Sequence, residues 1–576
     1  MIIIYFCAFE KRYVNQIQAM VRIFCKNTQT YKEFQEGTTL LEMLPEFEFE
    51  QPYQIISAKV NNVSQGLNFK VYNSRDVEYV DGTEASGQRV YQRSLFFLLC
   101  KAAHEVFKGC RVYIEHPLSG GFYCNLKKKD DEEGLTPEDI DRIKARMWEI
   151  VREDMEFHRR EVQVGEAIKL FRELGYIDKV RLLDTSPEVY TDYYLLGDSP
   201  DYYYGRLLPS AGYLKVWDLM PCHDGMLIRV PDRHDPTKLT PYVPQPKTYE
   251  IFSEALRWNI ITKLNNVGDV NHKIRKGGAS ELIQVAEALQ EKKIVKIAEE
   301  IEARYYSENK VNLVLITGPS SSGKTTFCKR LSVQLKACGL QPISFSTDDY
   351  FVNRVDTPLL PNGQYDFDNF DTVDHDALQE DVVKLLNGEE IEVPTYNFKT
   401  GLREYNGKKL KMREGSVLLI EGIHALNPHL TDKIEDSKKF RIFISTLTSI
   451  SLDNHNCIPT SDNRLLRRII RDYNNGAFTP TQTISQWPNV LDAEEKWINP
   501  YQENADVMFN SSYLVEFAVL RNHADSILRA VSKNCPEYSE AHRLLKFIHY
   551  FIAISDAEIP STSLLREFVG GSSFKY

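Results

Sequence analysis

A glycine-rich segment in the second half of the chain has the residues and spacing of a phosphate-binding loop. The segment GPSSSGKT, residues 318–325, fits the pattern GxxxxGK[ST] and lies between the apolar run NLVLIT and the helix-like run FCKRLSVQLKAC. Glycines let successive backbone N–H groups turn towards phosphate oxygens, and the N-terminus of the following helix adds its positive dipole. A Gly/Ser-rich surface turn is the alternative, but the strand–loop–helix context favours a nucleotide site. Its predicted nucleotide-binding residues are Gly318, Ser320, Ser321, Ser322, Gly323, Lys324, Thr325 and Thr326.

Two residues of this segment carry the predicted cofactor chemistry. In such loops the lysine, here Lys324, reaches the β- and γ-phosphates, and the hydroxyl after it, here Thr325, ligates Mg²⁺. ATP and Mg²⁺ are therefore the expected cofactors.

Carboxylates end the next two strand-like runs. PISFSTDDYF contains Asp348 and Asp349, and SVLLIEG contains Glu421. In a parallel α/β sheet the carboxyl ends of the strands line the ligand crevice. We predict that Asp348 is the catalytic base, which accepts a proton from the hydroxyl that attacks the γ-phosphate, and that Glu421 holds Mg²⁺. A helix cap is the alternative for either acid alone.

Four arginines follow in the helix-like run DNRLLRRIIRDY. At 3.6 residues per turn, Arg464, Arg467, Arg468 and Arg471 share one face. A solvated basic face is the alternative for such a run. Beside a triphosphate, the same face suits a closing lid, because arginines stabilise the charge on a transferring phosphoryl group. The predicted catalytic residues are Lys324, Asp348, Arg467 and Arg471.

Length and composition indicate the number of domains and the class of protein that carries these residues. A chain of 576 residues is expected to form three or four domains. The net charge of -11 counts against a protein built mainly to hold nucleic acid. The 10 cysteines form no CxxC pair, which argues against a disulfide framework or zinc ribbon and predicts a cytoplasmic protein. No apolar run approaches the roughly 20 residues of a membrane helix, so no membrane partner is expected.

Further patterns predict the elements that position the site. Period-two runs around one short helix indicate a β-grasp-like module near residues 20–82. Thr136 followed by Pro137 predicts a helix start, and Ile140, Ile143, Met147 and Ile150 give that helix one buried face. The Pro-, Tyr- and Asp-rich stretch 199–248 is predicted to be irregular, and two or three helices are predicted after residue 512.

The segment from about 311 to 512 resembles the uridine kinase branch of the phosphoribulokinase/uridine kinase family. The motifs that carry the resemblance are GPSSSGKTTF, SFSTDDYF, GQYDFDNFDTVD, VPTYNF, VLLIEG, NRLLRRIIRD and ENADVMFN. The resemblance implies that Asp348 faces a nucleoside 5′-hydroxyl and that Glu421 serves magnesium. It further implies that ribose hydroxyls are held by Asp368 with Arg464, the base by Tyr396 and Phe398, and the phosphates by Arg467 and Arg471.

Two features depart from that family. Uridine–cytidine kinases carry a base-reading histidine shortly after the tyrosine and phenylalanine, and the corresponding residue here is Gly401. The stretch TLTSISLDNHNCIPTSDN, residues 446–463, is unfamiliar in the family. Both features bear on the identity of the nucleobase, not on phosphoryl transfer.

The N-terminal half resembles the TGS domain and the editing-type second domain of threonyl-tRNA synthetases. GTTLLEML and AKVNN carry the first likeness, and FFLLCKAAHEVFKGCRVYIEHPLSGGFY with LTPEDIDRIKARMWEIVRED carries the second. An ungapped register on GGFY puts Phe97 and Lys101 where the synthetases have their two histidines, and no Cys-x₃-His follows near residues 202–213. We therefore expect hydrolytic editing to be lost. Cys100 and His104 are four apart, but two ligands do not make a metal site.

The predicted fold class is α/β multidomain. It comprises a P-loop parallel α/β kinase domain, preceded by a TGS-like β-grasp domain and an α+β editing-like domain, with a helical C-terminal tail. The predicted boundaries are an extension at 1–19, the TGS-like domain at 20–82, the editing-like domain at 83–245, a helical linker at 246–310, the kinase domain at 311–512 and the tail at 513–576.

Three functions are consistent with these patterns. The first is an ATP- and Mg²⁺-dependent transferase that phosphorylates a nucleoside, uridine or cytidine, at its 5′-hydroxyl. The second is a P-loop kinase of a non-nucleoside alcohol, similar to phosphoribulokinase or pantothenate kinase. The third is an RNA- or nucleotide-sensing binding protein, in which the synthetase-like half contacts nucleic acid. The sequence indicates no oligomeric state.

Overall fold

The computed structural model describes residues 19–50, 52–129, 134–361 and 363–575. The predicted extension at residues 1–19 lies, up to residue 18, outside the described residues. In the described part of the chain, no helix has both the length and the apolar character needed to cross a bilayer.

The first part of the chain forms a five-stranded sheet around one short helix. The sheet order is β2-β1-β5-β3-β4, with β1 and β5 parallel and the other neighbours antiparallel. The prediction of strands flanking one helix is confirmed. The elements are β1 (Met20–Cys25), β2 (Thr30–Gln35), α1 (Leu40–Met43), β3 (Ser57–Val60), β4 (Val63–Gln65) and β5 (Arg75–Val80).

The next part combines helices with two antiparallel sheets, of order β11-β12-β7-β6 and β10-β9-β8. The predicted start of α3 is confirmed, because Thr136 and Asp139 form a reciprocal capping box. The elements are α2 (Ala85–Val106), β6 (Arg111–Leu118), β7 (Gly121–Lys127), α3 (Pro137–Arg152), β8 (Phe157–Gln163), α4 (Val164–Glu173), α5 (Ile177–Asp184), β9 (Tyr190–Leu196), β10 (Ser199–Asp201), β11 (Asp218–Cys222) and β12 (Gly225–Arg229).

The prediction that 199–248 is irregular is wrong for three short strands, β10 to β12. The hairpin β11–β12 turns at His223 and Asp224, and His223 adopts a left-handed φ of 52°. Two-residue hairpin turns favour Asn-Gly or Asp-Gly as the turn residues themselves. Asp224 and Gly225 form such a pair, but the turn residues are His223 and Asp224, so the glycine falls one residue after the turn. Pro221 within β11 further obscured the alternation of polar and apolar residues.

Three helices connect this part to the second half, and the longest packs beneath the kinase sheet. They are α6 (Pro246–Thr262), α7 (Val267–Arg275) and α8 (Ala279–Tyr305). Ile294, Ile297 and Ile301 of α8 are fully buried against the first strand of that sheet and its neighbours.

The second half contains a five-stranded parallel sheet of order β14-β17-β13-β18-β19 and a separate hairpin, β15–β16. Its elements are β13 (Leu313–Thr317), α9 (Lys324–Ala337), β14 (Gln341–Ser346), α10 (His375–Leu386), β15 (Glu390–Asn397), β16 (Leu402–Lys411), β17 (Ser416–Glu421), β18 (Lys439–Ser445), α11 (Thr460–Asn474), α12 (Pro480–Trp497) and β19 (Val507–Asn510). The predicted parallel α/β fold is thus observed.

Three tail helices follow, as predicted: α13 (Glu516–Arg529), α14 (Tyr538–Ile548) and α15 (Arg566–Val569). They belong to a core that crosses the predicted domain boundaries. One buried cluster contains residues from several parts of the chain: Phe171 of the editing-like part, Val267 of the linker, Leu452 of the stretch 446–463, Leu466 of α11 and Phe547 of the tail. The tail and the editing-like part are therefore packed into the kinase half, and the boundaries along the chain stay predictions.

Candidate active site

The phosphate-binding loop joins the buried central strand β13 to the start of α9. Ser321 and Gly323 have left-handed φ angles of 59° and 87°, which fold the loop tightly before the helix begins at Lys324. A Cβ on Gly318 would lie 2.3 Å from the carbonyl oxygen of Ile444, so only glycine fits there. The hydroxyls of Ser321 and Ser322 are buried without a hydrogen-bond partner. Unpartnered buried hydroxyls fit a loop that completes its hydrogen bonds with a ligand.

Lys324 folds back over the loop. Its Nζ donates to the carbonyl oxygens of Gly318 at 2.9 Å and Pro319 at 3.1 Å. Burial lowers the pKa of Lys324, while the charges of Glu421 and Asp348 act to raise it. In the described part of the chain no carboxylate lies within ion-pair distance of this ammonium group, which leaves its charge available to phosphate.

The predicted acids lie at neighbouring strand ends. Glu421 is the last residue of β17 and pairs in register with Ser346, the last residue of β14, two residues before Asp348. The Thr325 hydroxyl donates to Glu421 Oε1 at 3.2 Å, so the two predicted Mg²⁺ ligands are brought together. Hydroxyl and carboxylate oxygens are the donors that Mg²⁺ prefers.

Burial governs the charge of both acids. Burial raises the pKa of Glu421 to about 7, the charge of Asp348 adds to the shift, and Lys324 opposes it. Burial also raises the pKa of Asp348, with Lys324 acting in the opposite direction. Carboxylates with raised pKa values beside a lysine are typical of sites that bind metal or move protons.

Two of the predicted acceptor residues adjoin the predicted acids, because the charge of Asp348 acts on Asp368 and the backbone of Tyr396 contacts the Asp349 carboxylate. Burial raises the pKa of Asp368 to about 6, and the charge of Arg468 lowers it. The rings of Tyr396 and Phe398 lie 5.1 Å apart in an edge-on arrangement, and both contact Phe351. The Tyr396 hydroxyl is buried without a partner, whereas Phe398 is exposed.

The backbone and surroundings of Gly401 leave no room for the base-reading histidine of uridine–cytidine kinases. Its φ is 73°, and a Cβ there would lie 2.8 Å from Cβ of Arg354. The Arg354 guanidinium donates to the carbonyl of Phe398, and its Nε is buried without a partner. Arg354 therefore fills the space that a side chain at position 401 would need.

The arginine helix α11 lies directly against the phosphate loop. Arg464 donates to the carbonyl of Ser320 at 3.2 Å, Arg467 to that of Ser321 at 3.3 Å, and Arg468 to the Ser320 hydroxyl at 2.9 Å. Arg471 is partly exposed and pairs with Asp472. Three of the four predicted arginines are thus brought to the loop, and the charge of Arg468 lowers the pKa of Asp368.

Two arginines are held by acids that sequence reasoning missed. Arg464 makes a two-point contact with Glu494 of α12, and Arg467 makes another with Glu516 of α13. The Arg467–Glu516 pair is fully buried, so Arg467 has a structural partner that the lid prediction did not include. No local pattern marks these acids, because each lies 30 or more residues from its arginine.

Acidic groups also contact the loop and the start of α9. The Ser320 N–H donates to Glu494 Oε1 at 3.2 Å. The Thr326 hydroxyl donates to Glu567 Oε2 at 2.6 Å, and Glu567 lies on α15 of the tail. The tail therefore reaches the nucleotide site that the sequence predicts.

The unfamiliar stretch between β18 and α11 docks into the editing-like part. Asp453 pairs with Lys179 at 3.0 Å, and His455 Nδ1 lies 2.7 Å from Asp201 Oδ2. The backbone N–H of Ile114 donates to the carbonyl of Asn454 at 2.8 Å. The stretch thus joins the two halves through buried polar contacts.

These contacts also bear on whether Cys100 belongs to a metal site. In the described residues, Cys100 groups with Asp201 and His455, whose donor atoms lie within 4.8 Å of one another; the group does not include His104. Lys179 lies 3.0 Å from Asp201 Oδ1, and His455 contacts Asp201 Oδ2. Both oxygens of Asp201 are therefore engaged by cationic or N–H groups, and the cluster is balanced without a metal ion.

The two positions expected for editing histidines have other roles. Phe97 is buried with its ring 5.8 Å from that of Phe157 and 5.4 Å from that of Tyr203. Lys101 Nζ pairs with Glu105 at 2.8 Å and Asp198 at 3.1 Å. Neither position carries a histidine, and the loss of editing chemistry stays a prediction.

Comparison with known proteins gives separate matches for the two halves. Residues 313–517 match the family model described as Phosphoribulokinase / Uridine kinase family. The N-terminal half matches threonine–tRNA ligases, among them that of Carboxydothermus hydrogenoformans (32% identical; 33% of this chain, 30% of the relative) and that of Caldanaerobacter subterraneus subsp. tengcongensis (28% identical; 36% and 31%). The chain thus spans less than a third of the length of these curated relatives.

Among solved structures, the chain is similar to a protein described as a possible uridine kinase from Bacillus stearothermophilus. The two are 19% identical, with a TM-score of 0.27 over 38% of this chain and 98% of the other. The family model places a domain of the phosphoribulokinase/uridine kinase family at residues 313–517, and the N-terminal half is similar to part of the threonine–tRNA ligases.

Proposed function

We propose that the P-loop domain is an ATP- and Mg²⁺-dependent kinase of a small alcohol, and that the acceptor is the 5′-hydroxyl of a nucleoside, uridine or cytidine. The observation that supports this most is the convergence of Lys324, Asp348 and Glu421 beside the phosphate loop. A kinase of this type needs little covalent chemistry from the protein, because positioning and charge neutralisation dominate.

The proposed transfer begins with the acceptor hydroxyl held near Asp348. The Asp348 carboxylate accepts the hydroxyl proton as the oxygen attacks the γ-phosphorus, and the bond from that phosphorus to the bridging oxygen of ADP breaks. The raised pKa of Asp348 brings this base closer to neutral pH, where a general base works best. Lys324 neutralises charge on the phosphates. Thr325 and Glu421 would hold Mg²⁺, which when bound offsets negative charge on the β- and γ-phosphates.

The proposed acceptor site uses Asp368 for the ribose hydroxyls and the rings of Tyr396 and Phe398 for the base. The charge of Arg468 on Asp368 supports Arg468 as the partner of that carboxylate. Arg464 was predicted for this role from the resemblance, but it is engaged by Glu494.

A second candidate acceptor is a non-nucleoside alcohol. Gly401 offers no side chain to read a base, and Arg354 occupies the adjoining space. An arginine with an unpartnered Nε would suit an acceptor that carries an anionic or carbonyl group.

The proposal is tested by ADP release from the full chain with ATP and Mg²⁺. The acceptors are uridine, cytidine, adenosine, guanosine, inosine and thymidine, with pantothenate and ribulose 5-phosphate for the second candidate. The test variant is Asp348→Asn. Its matched control is Asp349→Asn, because Asp349 is the neighbouring aspartate and has a structural role, accepting a hydrogen bond from the Ser346 N–H. Selective turnover on one or two nucleosides is the expected result. Turnover only with a non-nucleoside supports the second candidate, and no acceptor-stimulated release contradicts the kinase proposal.

A further inference from the structure

A large cavity lies away from the phosphate loop, between the editing-like part and the tail. Its volume is about 860 Å³, and none of the residues assigned above to the kinase site lines it. A smaller cavity of about 100 Å³ adjoins it. Residues that line both are Asp192, Tyr203, Tyr204, His542 and Lys546. Val63 and Ser64 of the first sheet complete the smaller cavity, so three parts of the chain build this space.

The smaller cavity contains a buried cation without a counter-ion. Arg93 is only 9% exposed, and its Nη1 donates to the carbonyl of Arg206 at 3.0 Å. Its guanidinium lies 5.2 Å from the ring centre of Tyr204. Across the described residues, no carboxylate lies within ion-pair distance of Arg93 or Lys546. A buried guanidinium without an anion is costly, which indicates that an anion completes this cavity.

Other charges around the cavity repel one another. Lys546 is exposed, but desolvation by its neighbours lowers its pKa, the charge of Arg206 lowers it further and the charge of Asp192 opposes the shift. Burial lowers the pKa of His542, with Lys546 adding to the shift. Asp192, the carboxylate that lines both cavities, already pairs with Arg159 and with Arg206. The charges of Arg93 and Lys546 are thus left for a ligand to compensate.

The guanidinium of Arg93 packs against the main chain at Gly205. A Cβ on Gly205 would lie 2.2 Å from Cζ of Arg93, so the guanidinium lies directly against the main chain there. Any larger residue at 205 would displace it. The cation is therefore held in place by packing and does not depend on a surface rotamer.

The larger cavity supplies aromatic surface. The tyrosines that line it are Tyr190, Tyr202, Tyr203, Tyr204, Tyr538 and Tyr550. Aromatic side chains stack on nucleobases with little preference for the base. Its volume falls in the usual range of about 300–1,000 Å³ for small-ligand pockets, and the net charge of -11 disfavours a nucleic-acid polymer.

We propose that these adjoining cavities form a second binding site, separate from the kinase site, for a free nucleotide. The phosphate lies in the small cavity between Arg93 and Lys546, and the base lies among the tyrosines of the large cavity. Because the walls come from the first sheet, the editing-like part and the tail, only the full chain forms the site.

The test is calorimetric titration of the full chain carrying Lys324→Met, which removes the phosphate-loop lysine and turnover. The probes are AMP, GMP, CMP and UMP, with inorganic phosphate and uridine as partial ligands. Lys546→Met and Arg93→Lys are each added to this background. Arg529→Met is the matched control, because Arg529 lies at the rim and is paired with Asp525.

We expect at least one mononucleotide to bind the Lys324→Met protein. Lys546→Met, which removes a charge, and Arg93→Lys, which keeps the charge but removes the planar guanidinium contact, should each weaken that binding about tenfold or more, while Arg529→Met leaves it unchanged. Inorganic phosphate should compete, and uridine should bind more weakly than UMP. Equal affinity in all variants, or no mononucleotide binding, overturns the proposal. Binding of a short RNA through Arg93 and Lys546 without mononucleotide binding overturns it in favour of RNA.

Discussion

Lys179 and Asp453 form a fully buried ion pair, with Nζ and Oδ1 3.0 Å apart, although 274 residues separate them in the chain. Lys179 belongs to the editing-like part, and Asp453 belongs to the stretch inserted before the arginine helix. Asp201 lies equally close to the same ammonium group. The synthetase-like half is therefore locked to the kinase domain at the stretch that departs from the uridine kinase pattern.

Replacing Lys179 tests this connection. The Lys179→Met variant leaves Asp201 and Asp453 buried without their cation, which costs about 3–5 kcal/mol for a broken buried pair. We expect a corresponding fall in the free energy of unfolding in urea. Lys238→Met is the control, because Lys238 is exposed where it pairs with Asp235. A Lys179→Met protein as stable as the control would show that the pair does not hold the halves together.

Glu567 of the tail should weaken nucleotide binding. Its carboxylate accepts the hydrogen bond of Thr326 at the start of α9 and acts on the charge of Lys324, so it repels an incoming triphosphate. We expect Glu567→Gln to lower the KM for ATP about fivefold, as removal of ~1 kcal/mol of repulsion implies. Steady-state kinetics with Glu558→Gln, an exposed tail acid, provides the comparison. An unchanged or higher KM in Glu567→Gln contradicts this role.

Arg467 and Arg471 should behave differently when replaced. Arg467→Met leaves Glu516 buried and unpaired, so we expect a loss of stability of about 3–5 kcal/mol. Arg471→Met removes a partly exposed arginine, so we expect kcat to fall about a hundredfold or more with little change in stability. Thermal unfolding and turnover measured on the same preparations separate the two effects. The assignment fails if Arg467→Met is fully stable or if Arg471→Met keeps normal kcat.

The raised pKa of Glu421 predicts an acid limb in the activity profile. At low Mg²⁺, kcat/KM should rise as pH rises through about 7, because Glu421 must lose its proton to serve the metal. Saturating Mg²⁺ should move the limb to lower pH, since metal and proton compete. A profile that is flat between pH 6 and 8, or whose acid limb does not shift with Mg²⁺ concentration, would exclude Glu421 as a ligand of the metal.

In the absence of ligands, Glu421 is expected to make the folded chain less stable as pH rises. Its folded-state pKa lies above its unfolded value, so the folded chain binds the extra proton between about pH 4.5 and 7. Its contribution to stability is therefore present below that range and is lost as pH rises through about 7. Urea unfolding of wild type and Glu421→Gln across this range measures the contribution. Stability of the wild type that rises relative to the variant would contradict it.

Local patterns in the sequence predicted the parts of the site that are close in the chain. The phosphate loop, the acids at two strand ends and the arginine face all follow from residue type and spacing within one element. The partners of those arginines, Glu494 and Glu516, were missed because ion pairs between separate helices leave no periodic signal. The docking of the stretch 446–463 was missed for the same reason, since its contacts are made more than 250 residues away. The hairpin β11–β12 was missed although Asp224 and Gly225 form an Asp-Gly pair, because Pro221 breaks the strand pattern before the turn and the left-handed turn residue is His223.

The most direct test of the central claim is replacement of Asp348 by asparagine, which keeps its size and removes its charge. ADP release with the acceptor that the screen selects gives kcat, and equilibrium titration with ATP gives the affinity of the phosphate loop. We predict that kcat falls about a thousandfold or more, as loss of a general base does, while ATP affinity changes less than about threefold. A variant that keeps near wild-type kcat would contradict the assignment of Asp348 as the base for phosphoryl transfer.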